Sequence, residues 1–297
     1  MQVRVEKLPK ATVRLTITVP SDKVKETYDK AIAKLAQSAK VAGFRPGKAP
    51  QEMVAEKFVR AAINGEVVNL LVPETYSQAL KEHHLHPIAA PKINLKKFEE
   101  GQELIFEATL ATFPPIEIGN YQEALTKLAP TLPAIVYGPD GKPTQGEKQA
   151  GGQKGNINEI IEAVLNVCKV EIPPLLVEEE VNRMLSQLLN QTQALGLKVE
   201  NYLASIGKTS QQIRQEYTRQ AEKNIAAEFI LGELIKQEGI TVSETEIQQA
   251  IQAAPDKKSR VEFEKERGKL YIKSVLAKRK LLEKLTNYAT EKQKPTP

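Results

Sequence analysis

This chain of 297 residues contains no tryptophan, one cysteine and three histidines, and none of its apolar runs approaches the roughly eighteen residues of a membrane span. A single thiol, Cys168, can neither close an internal disulfide nor build a zinc site, so disulfide scaffolds and zinc modules are excluded and a reducing, cytoplasmic setting is expected. Cys168 sits in an apolar helical stretch without a histidine in its predicted domain to activate it, which favours a packed thiol over a nucleophile. His83, His84 and His86 are crowded into one stretch, where adjacent side chains point in different directions and no carboxylate cluster completes a ligand set. They read as a surface helix terminus, with no metal. Walker-type and dinucleotide glycine patterns are missing too, and the glycines at 151, 152 and 155 lie among Gln and Lys without a preceding strand. No catalytic constellation and no cofactor are therefore expected. The opening MQVRVEKLPKATVRLTITVP alternates charged with apolar residues, which does not read as a secretory signal.

What is present belongs to a soluble globular chain, 41% hydrophobic and 27% charged with a mean hydropathy of −0.37, long enough for two domains. The net charge of +5 is too small to mark a generic nucleic-acid binder, but its distribution is uneven. Residues 1–50 hold 11 Lys/Arg against 4 Asp/Glu, residues 51–255 hold 18 against 27, and residues 256–297 hold 13 against 6. Two basic ends flank an acidic middle. Either end can be a solvated helix face, or the first can meet an anionic surface such as RNA.

Val13, Leu15, Ile17 and Val19 alternate with polar residues as in a half-buried strand that Pro20 ends. Ser21 or Asp22 can cap a following helix to about residue 40. A second helical pattern runs from Gln51 to Glu82, with Gly65 and Pro73 as expected breaks, and strands are expected over Ile88 to Phe98 and Glu103 to Phe113. Without a βαβ repeat, this region is predicted to be α+β, an antiparallel sheet with helices on one side. From Pro130 to Gly155 the chain is rich in proline and glycine and reads as a linker, too short for a domain of its own. Beyond Asn156 everything is helical in pattern. Pro173 and Pro174 open one helix that Gly196 closes, Thr209 with Gln212 and Ser243 with Glu246 form capping boxes, and a final helix is expected from Ser259 to Glu291. The predicted organisation is an α+β domain over 1–118, an extended segment and flexible linker over 119–156, and an extended all-α domain over 157–297.

The segment Gly43-Phe44-Arg45-Pro46-Gly47-Lys48-Ala49-Pro50 places Pro and Gly at the central positions of a type II turn. Such a turn can hold Phe44 and Arg45 outward, an aromatic for a partner's crevice beside cations for phosphates or carboxylates. An ordinary interhelix loop with Phe44 folded onto the core is the alternative.

In this loop the sequence resembles the trigger factor family of bacterial ribosome-associated chaperones, whose signature Gly-Phe-Arg-x-Gly-x-x-Pro is matched by Gly43, Phe44, Arg45, Gly47 and Pro50. The opening strands, EIPPLLVEEEVNRML and AAEFILGELIKQEGITVSETEIQQAI are similar to the family as well, over about residues 1 to 118 and 157 to 290. The resemblance implies docking on the large ribosomal subunit near the polypeptide exit through Gly43, Phe44, Arg45, Gly47 and Lys48. It also implies ATP-independent holding of nascent or unfolded polypeptides by the helical domain, a chaperone domain, with Met184, Leu188, Leu195, Tyr202 and Tyr217 as candidate client contacts. Two departures stand out. Pro46 replaces a frequent lysine, and the linker stands where the family usually carries an FKBP-like prolyl isomerase domain, so no enzyme activity is expected. A ribosome-independent assembly or adaptor chaperone that clamps folded partners is the alternative function. No membrane partner is expected, and self-association is left open.

Overall fold

In the computed structural model, which describes residues 1–38, 60–99, 101–128, 152–254 and 256–290, the period-two pattern becomes the middle of a sheet. Strand β2 (Thr12–Val19) buries Val13, Leu15, Ile17 and Val19, and β4 (Leu104–Ala111) buries Leu104, Phe106, Ala108 and Leu110. With β1 (Gln2–Leu8) and β3 (Lys92–Lys97) they form an antiparallel sheet in the order β1-β2-β4-β3. Register puts Ile17 opposite Phe106 and Leu15 opposite Ala108, so a one-residue slip would send the whole apolar set to the other face. The β1–β2 turn holds Lys10 (φ 58°) and Ala11 (φ 47°) in the left-handed region. The Ala11 carbonyl accepts both the backbone N–H (2.9 Å) and the hydroxyl (3.1 Å) of Thr112, which fixes that geometry.

Helices α1 (Ser21–Ser38) and α2 (Arg60–Glu82) supply the other wall of this core through Val24, Ala31, Val67, Leu71 and Ala79. The breaks expected at Gly65 and Pro73 do not occur, because α2 runs through both. Leu71 and Thr75 beside the proline are fully buried, and Thr75 Oγ1 donates to the Leu71 carbonyl at 2.7 Å. Burial of that face outweighs a proline penalty of about 3 kcal/mol. The helix ends where Leu85 N–H reaches the Leu80 carbonyl (2.9 Å) and His84 turns left-handed (φ 51°), so the histidine stretch is a helix stop.

The chain divides into two units, residues 1–114 with 173–180, and 115–172 with 181–297. The second begins with a helix where extended chain was expected: α3 (Tyr121–Leu128) buries Tyr121 and Leu125. It packs with α4 (Gly152–Val167), which starts inside the segment read as linker. Residues 129–151 lie outside the described residues. A two-residue pairing joins β5 (Ile116–Glu117) to β6 (Lys169–Val170). There Gly119 is required, since a Cβ would come within 2.0 Å of the Val167 carbonyl oxygen.

Helix α5 (Pro174–Ala194) starts at its proline and stops at Gly196 (φ 71°) as expected. It is followed by α6 (Val199–Ser205) and α7 (Ser210–Gln237). Both capping boxes form. Thr209 Oγ1 accepts from Gln212 N–H at 3.2 Å while Gln212 Oε1 accepts from Thr209 N–H at 2.8 Å, and Ser243 and Glu246 exchange the same bonds at the start of α8 (Glu244–Gln252). The expected final helix is instead two, α9 (Lys257–Glu264) and α10 (Glu266–Thr290), broken at the extended Lys265. Gly268 allows the turn, because a Cβ there would come within 2.4 Å of the Glu262 carbonyl oxygen and Phe263 Cα. One core gathers Tyr121, Leu125, Ile160, Val164, Ile230, Leu234, Leu281 and Leu285, and a smaller one Ile247, Ile251 and Ile272. Among the described residues no helix is long and apolar enough to cross a membrane.

Candidate functional site

The loop residues Gly43, Phe44, Arg45, Gly47 and Lys48 lie outside the described residues. What flanks them is a pinned helix pair. Lys23–Glu74 (2.8 Å) and Lys34–Glu66 (2.6 Å) bridge α1 to α2, and the Tyr28 hydroxyl donates to Asn64 Oδ1. These pairings run antiparallel along the two helices, joining α1 to α2 on either side of the Tyr28–Asn64 contact.

The candidate client contacts are distributed unevenly. Leu195 is 74% exposed, whereas Met184, Leu188, Tyr202 and Tyr217 are half-buried. Leu189, Leu197 and Ile206, which the sequence reading passed over, are exposed near Leu195 in the chain. The Gly196 turn holds Leu195 and Leu197: Leu197 N–H bonds the Thr192 carbonyl at 2.9 Å, while the buried Thr192 hydroxyl is used on Leu188 and Leu189 carbonyls.

A second open apolar surface lies on α10. Leu270 (64%), Tyr271 (60%) and Val275 (45%) are exposed, and Val275 continues into a groove of about 720 Å³ whose walls include Ile157 of α4 and Leu282. Tyr271, Val275, Leu282 and Thr286 share one helical face, while Ala277, Leu281, Leu285 and Ala289 are buried. The available signal was the acid-free run from Arg267 to Leu282, which carries six cations. Helical periodicity alone does not say which of two apolar stripes faces a core.

Electrostatics in this unit are structural. Glu238 lies at the end of α7, where its carboxylate accepts from Tyr121 and Tyr288 and pairs with Lys284. The Lys284 contact, followed by the Tyr121 hydroxyl, holds the carboxyl below its ordinary value. Burial, aided by the Glu238 charge, pushes the Tyr121 hydroxyl up. Glu246 is held at about 2, chiefly by the hydrogen bond from Lys280 and then by Ser243. Burial raises the Cys168 thiol, which keeps it protonated and unreactive. No group of three metal-ligating side chains comes together among the described residues.

Comparison with known proteins fits this arrangement. Residues 1–131 match the family described as bacterial trigger factor protein, and residues 143–287 match the C-terminal region of the same family, leaving only residues 132–142 between them. A trigger factor from Staphylococcus epidermidis is 37% identical over 108 residues, 36% of this chain and 25% of that protein. One from Natranaerobius thermophilus is 32% identical over 117 residues, 39% of this chain and 26% of that protein. These matches span about a quarter of the length of the curated relatives. A solved structure of a trigger factor chaperone, described for promiscuous substrate recognition in folding and assembly, superposes over 96% of this chain and 99% of its own. Its TM-score is 0.63 at 14% identity, a likeness of fold. With both regions matched and their order kept, the chain belongs to the trigger factor family.

Proposed function

We propose that this chain is a cytoplasmic, ATP-independent holdase chaperone that docks on the large ribosomal subunit near the polypeptide exit and holds nascent or unfolded polypeptides. The observation that carries the reading is the surface of the second unit, where large apolar side chains stay open on long helices beside a shallow apolar groove. Shallow apolar surface suits many different clients better than one shaped pocket does. Family membership supports the same role. Docking is assigned to Phe44, Arg45 and Lys48, with Gly43 and Gly47 shaping the loop, and Pro46 removes one cation from that contact. Prolyl isomerisation is not part of the proposed activity, because residues 132–142 are too few for a domain of at least about fifty residues.

The test is co-sedimentation of the full chain with ribosomes, alongside light-scattering of a denatured client. The chain should pellet with large subunits and slow client aggregation at roughly stoichiometric ratios, with ATP changing nothing. Replacing Phe44, Arg45 and Lys48 together with alanine should release it from ribosomes, since hot-spot contacts are worth about 2 kcal/mol each. Unchanged sedimentation of that variant removes the docking role. No protection at any ratio removes the holdase role and favours an adaptor that clamps folded partners.

A further inference from the structure

We infer that the outer edge of β3 takes up an extended segment of another chain, one with apolar residues at every second position, as a fifth strand of the first unit's sheet. The inference rests on the holdase reading for its occupant, a client segment. It names a surface in the first unit, away from the candidate client contacts, and a main-chain mode of binding that those contacts do not supply.

Strand β3 (Lys92–Lys97) ends the order β1-β2-β4-β3 and pairs on one side only, with β4. All six of its residues are exposed. Among the described residues no backbone hydrogen bond leaves its outer edge. An edge in this state offers a row of unpaired N–H and C=O groups, which an added strand satisfies whatever its side chains are.

Register adds an apolar shelf to that edge. Ile93 stands opposite Ala108 and Leu95 opposite Phe106, on the sheet face that α1 and α2 cover. Ala108 and Phe106 are fully buried there, whereas Ile93 is 37% exposed and Leu95 43%. The helix layer therefore stops short of β3. A strand laid along β3 would turn every second side chain onto this shelf and the others onto the open face beside Lys92 and Asn94. The register shift between Leu95 and Lys97 limits the regular seat to Lys92–Leu95, about 13 Å of strand.

The lysines decide between occupants. A second copy pairing antiparallel through its own β3, centred on Asn94, would set each Lys92 opposite the other copy's Lys96. A half-step shift would oppose Lys92 to Lys97 instead. Like charges directly opposite are unfavourable, and lysine on an edge is a device against such self-pairing. Glu107 and Glu103, which pair with Lys96 (3.1 Å) and Lys97 (3.8 Å), belong to β4 and the turn before it, so they would not stand between the facing lysines. A client segment with valine or isoleucine alternating with threonine, serine or glutamate meets no such cost.

The experiment uses the full chain and three fluorescein-labelled peptides with a glutamate at each end, followed by anisotropy. One alternates valine with threonine, one has the same composition with the valines grouped, and one is the alternating peptide with its four central backbone nitrogens methylated. The alternating peptide should bind best. Methylation keeps every side chain and removes the donors of the ladder, so it should weaken binding by about tenfold. In hydrogen exchange of the full chain, amides within residues 92–97 should slow when the alternating peptide is added. Ile93→Thr with Leu95→Thr puts β-branched polar side chains at exposed positions, so Tm should hold while the alternating peptide binds about fivefold more weakly. Equal binding of the alternating and methylated peptides, or unchanged exchange in β3, overturns the inference. It is also overturned if exchange in β3 slows with protein concentration without peptide, which assigns the edge to a second copy. Client protection that persists without any strand preference sinks only this inference. Absence of client protection beside intact strand pairing sinks the holdase reading alone.

Discussion

The hydroxyl of Tyr121, at the start of α3, donates to the carboxylate of Glu238, 117 residues further along the chain at the end of α7. Lys284 and Tyr288 of α10 reach the same carboxylate, so one group ties three helices to a common core. The side chain of Glu238 is only 9% exposed, which makes it costly to leave any of its partners unmatched.

Glu238→Ala should therefore lower stability by about 2 kcal/mol, read as a fall in Tm at pH 7. The pH dependence has a defined sign. The folded Glu238 carboxyl lies below its ordinary 4.5, so its contribution is present above that value and is lost as pH falls through the folded value. The raised Tyr121 and Lys284 give an alkaline limb, present below their ordinary values of 10.0 and 10.5 and lost as pH rises through the folded ones. The Tm difference between the wild-type chain and Glu238→Gln should be flat near neutrality and shrink below about pH 4. A difference that does not shrink as the pH falls would show that packing, not charge, makes the contribution.

Two glycines should respond in opposite directions to the same substitution. Gly268→Ala drives a Cβ into the backbone of Glu262 and Phe263 and should destabilise the α9–α10 junction by about 1–3 kcal/mol. Gly232, inside α7, has open space around its Cβ position, so Gly232→Ala should stabilise by about 0.5–1 kcal/mol. Thermal unfolding of both variants checks the pair, and equal shifts would mean that the α9–α10 turn is not held by close backbone approach.

Ser243→Ala should cost about 1 kcal/mol by leaving the Glu246 N–H without its capping partner. The same change removes the Ser243 hydroxyl bond to the Glu246 carboxylate (2.9 Å), so the carboxyl should titrate above its present value of about 2. An NMR titration of the side-chain carbon would detect the rise. An unmoved titration would leave Lys280 and the Ser243 backbone N–H as the sources of the depression.

These tests also mark what the sequence disclosed. Both capping boxes, the glycine stop at 196 and the alternation in β2 and β4 were legible because each is a local rule with a local answer. Pro73 was misleading because the deciding term is burial of Leu71 and Thr75 against residues far away in the chain. The division at Lys265 depends on how closely α9 approaches Gly268, which no periodicity encodes. Of the candidate client contacts, Leu195 is the exposed one, and its place beside the helix-stopping Gly196 is readable in the sequence, although exposure alone does not make it a client contact. The α10 strip was not, since its second apolar stripe has the same spacing as a core face.

Serine substitutions should separate surface from core in the second unit. Leu195 and Leu189 are exposed, and the nearby backbone is already satisfied by the Gly196 turn. Leu189→Ser with Leu195→Ser should leave Tm within about 2–4 °C of the wild-type chain, because exposed positions shift stability by less than about 0.5 kcal/mol each. If this surface holds clients, the same variant should protect a denatured client less well. Met184→Ser and Tyr217→Ser act on half-buried side chains. They should lower Tm measurably, each costing about 1–2 kcal/mol in lost burial. Any loss of protection in these two variants would then follow from unfolding, which a protection assay run ten degrees cooler distinguishes: protection lost through instability returns on cooling, whereas protection lost with a client contact does not.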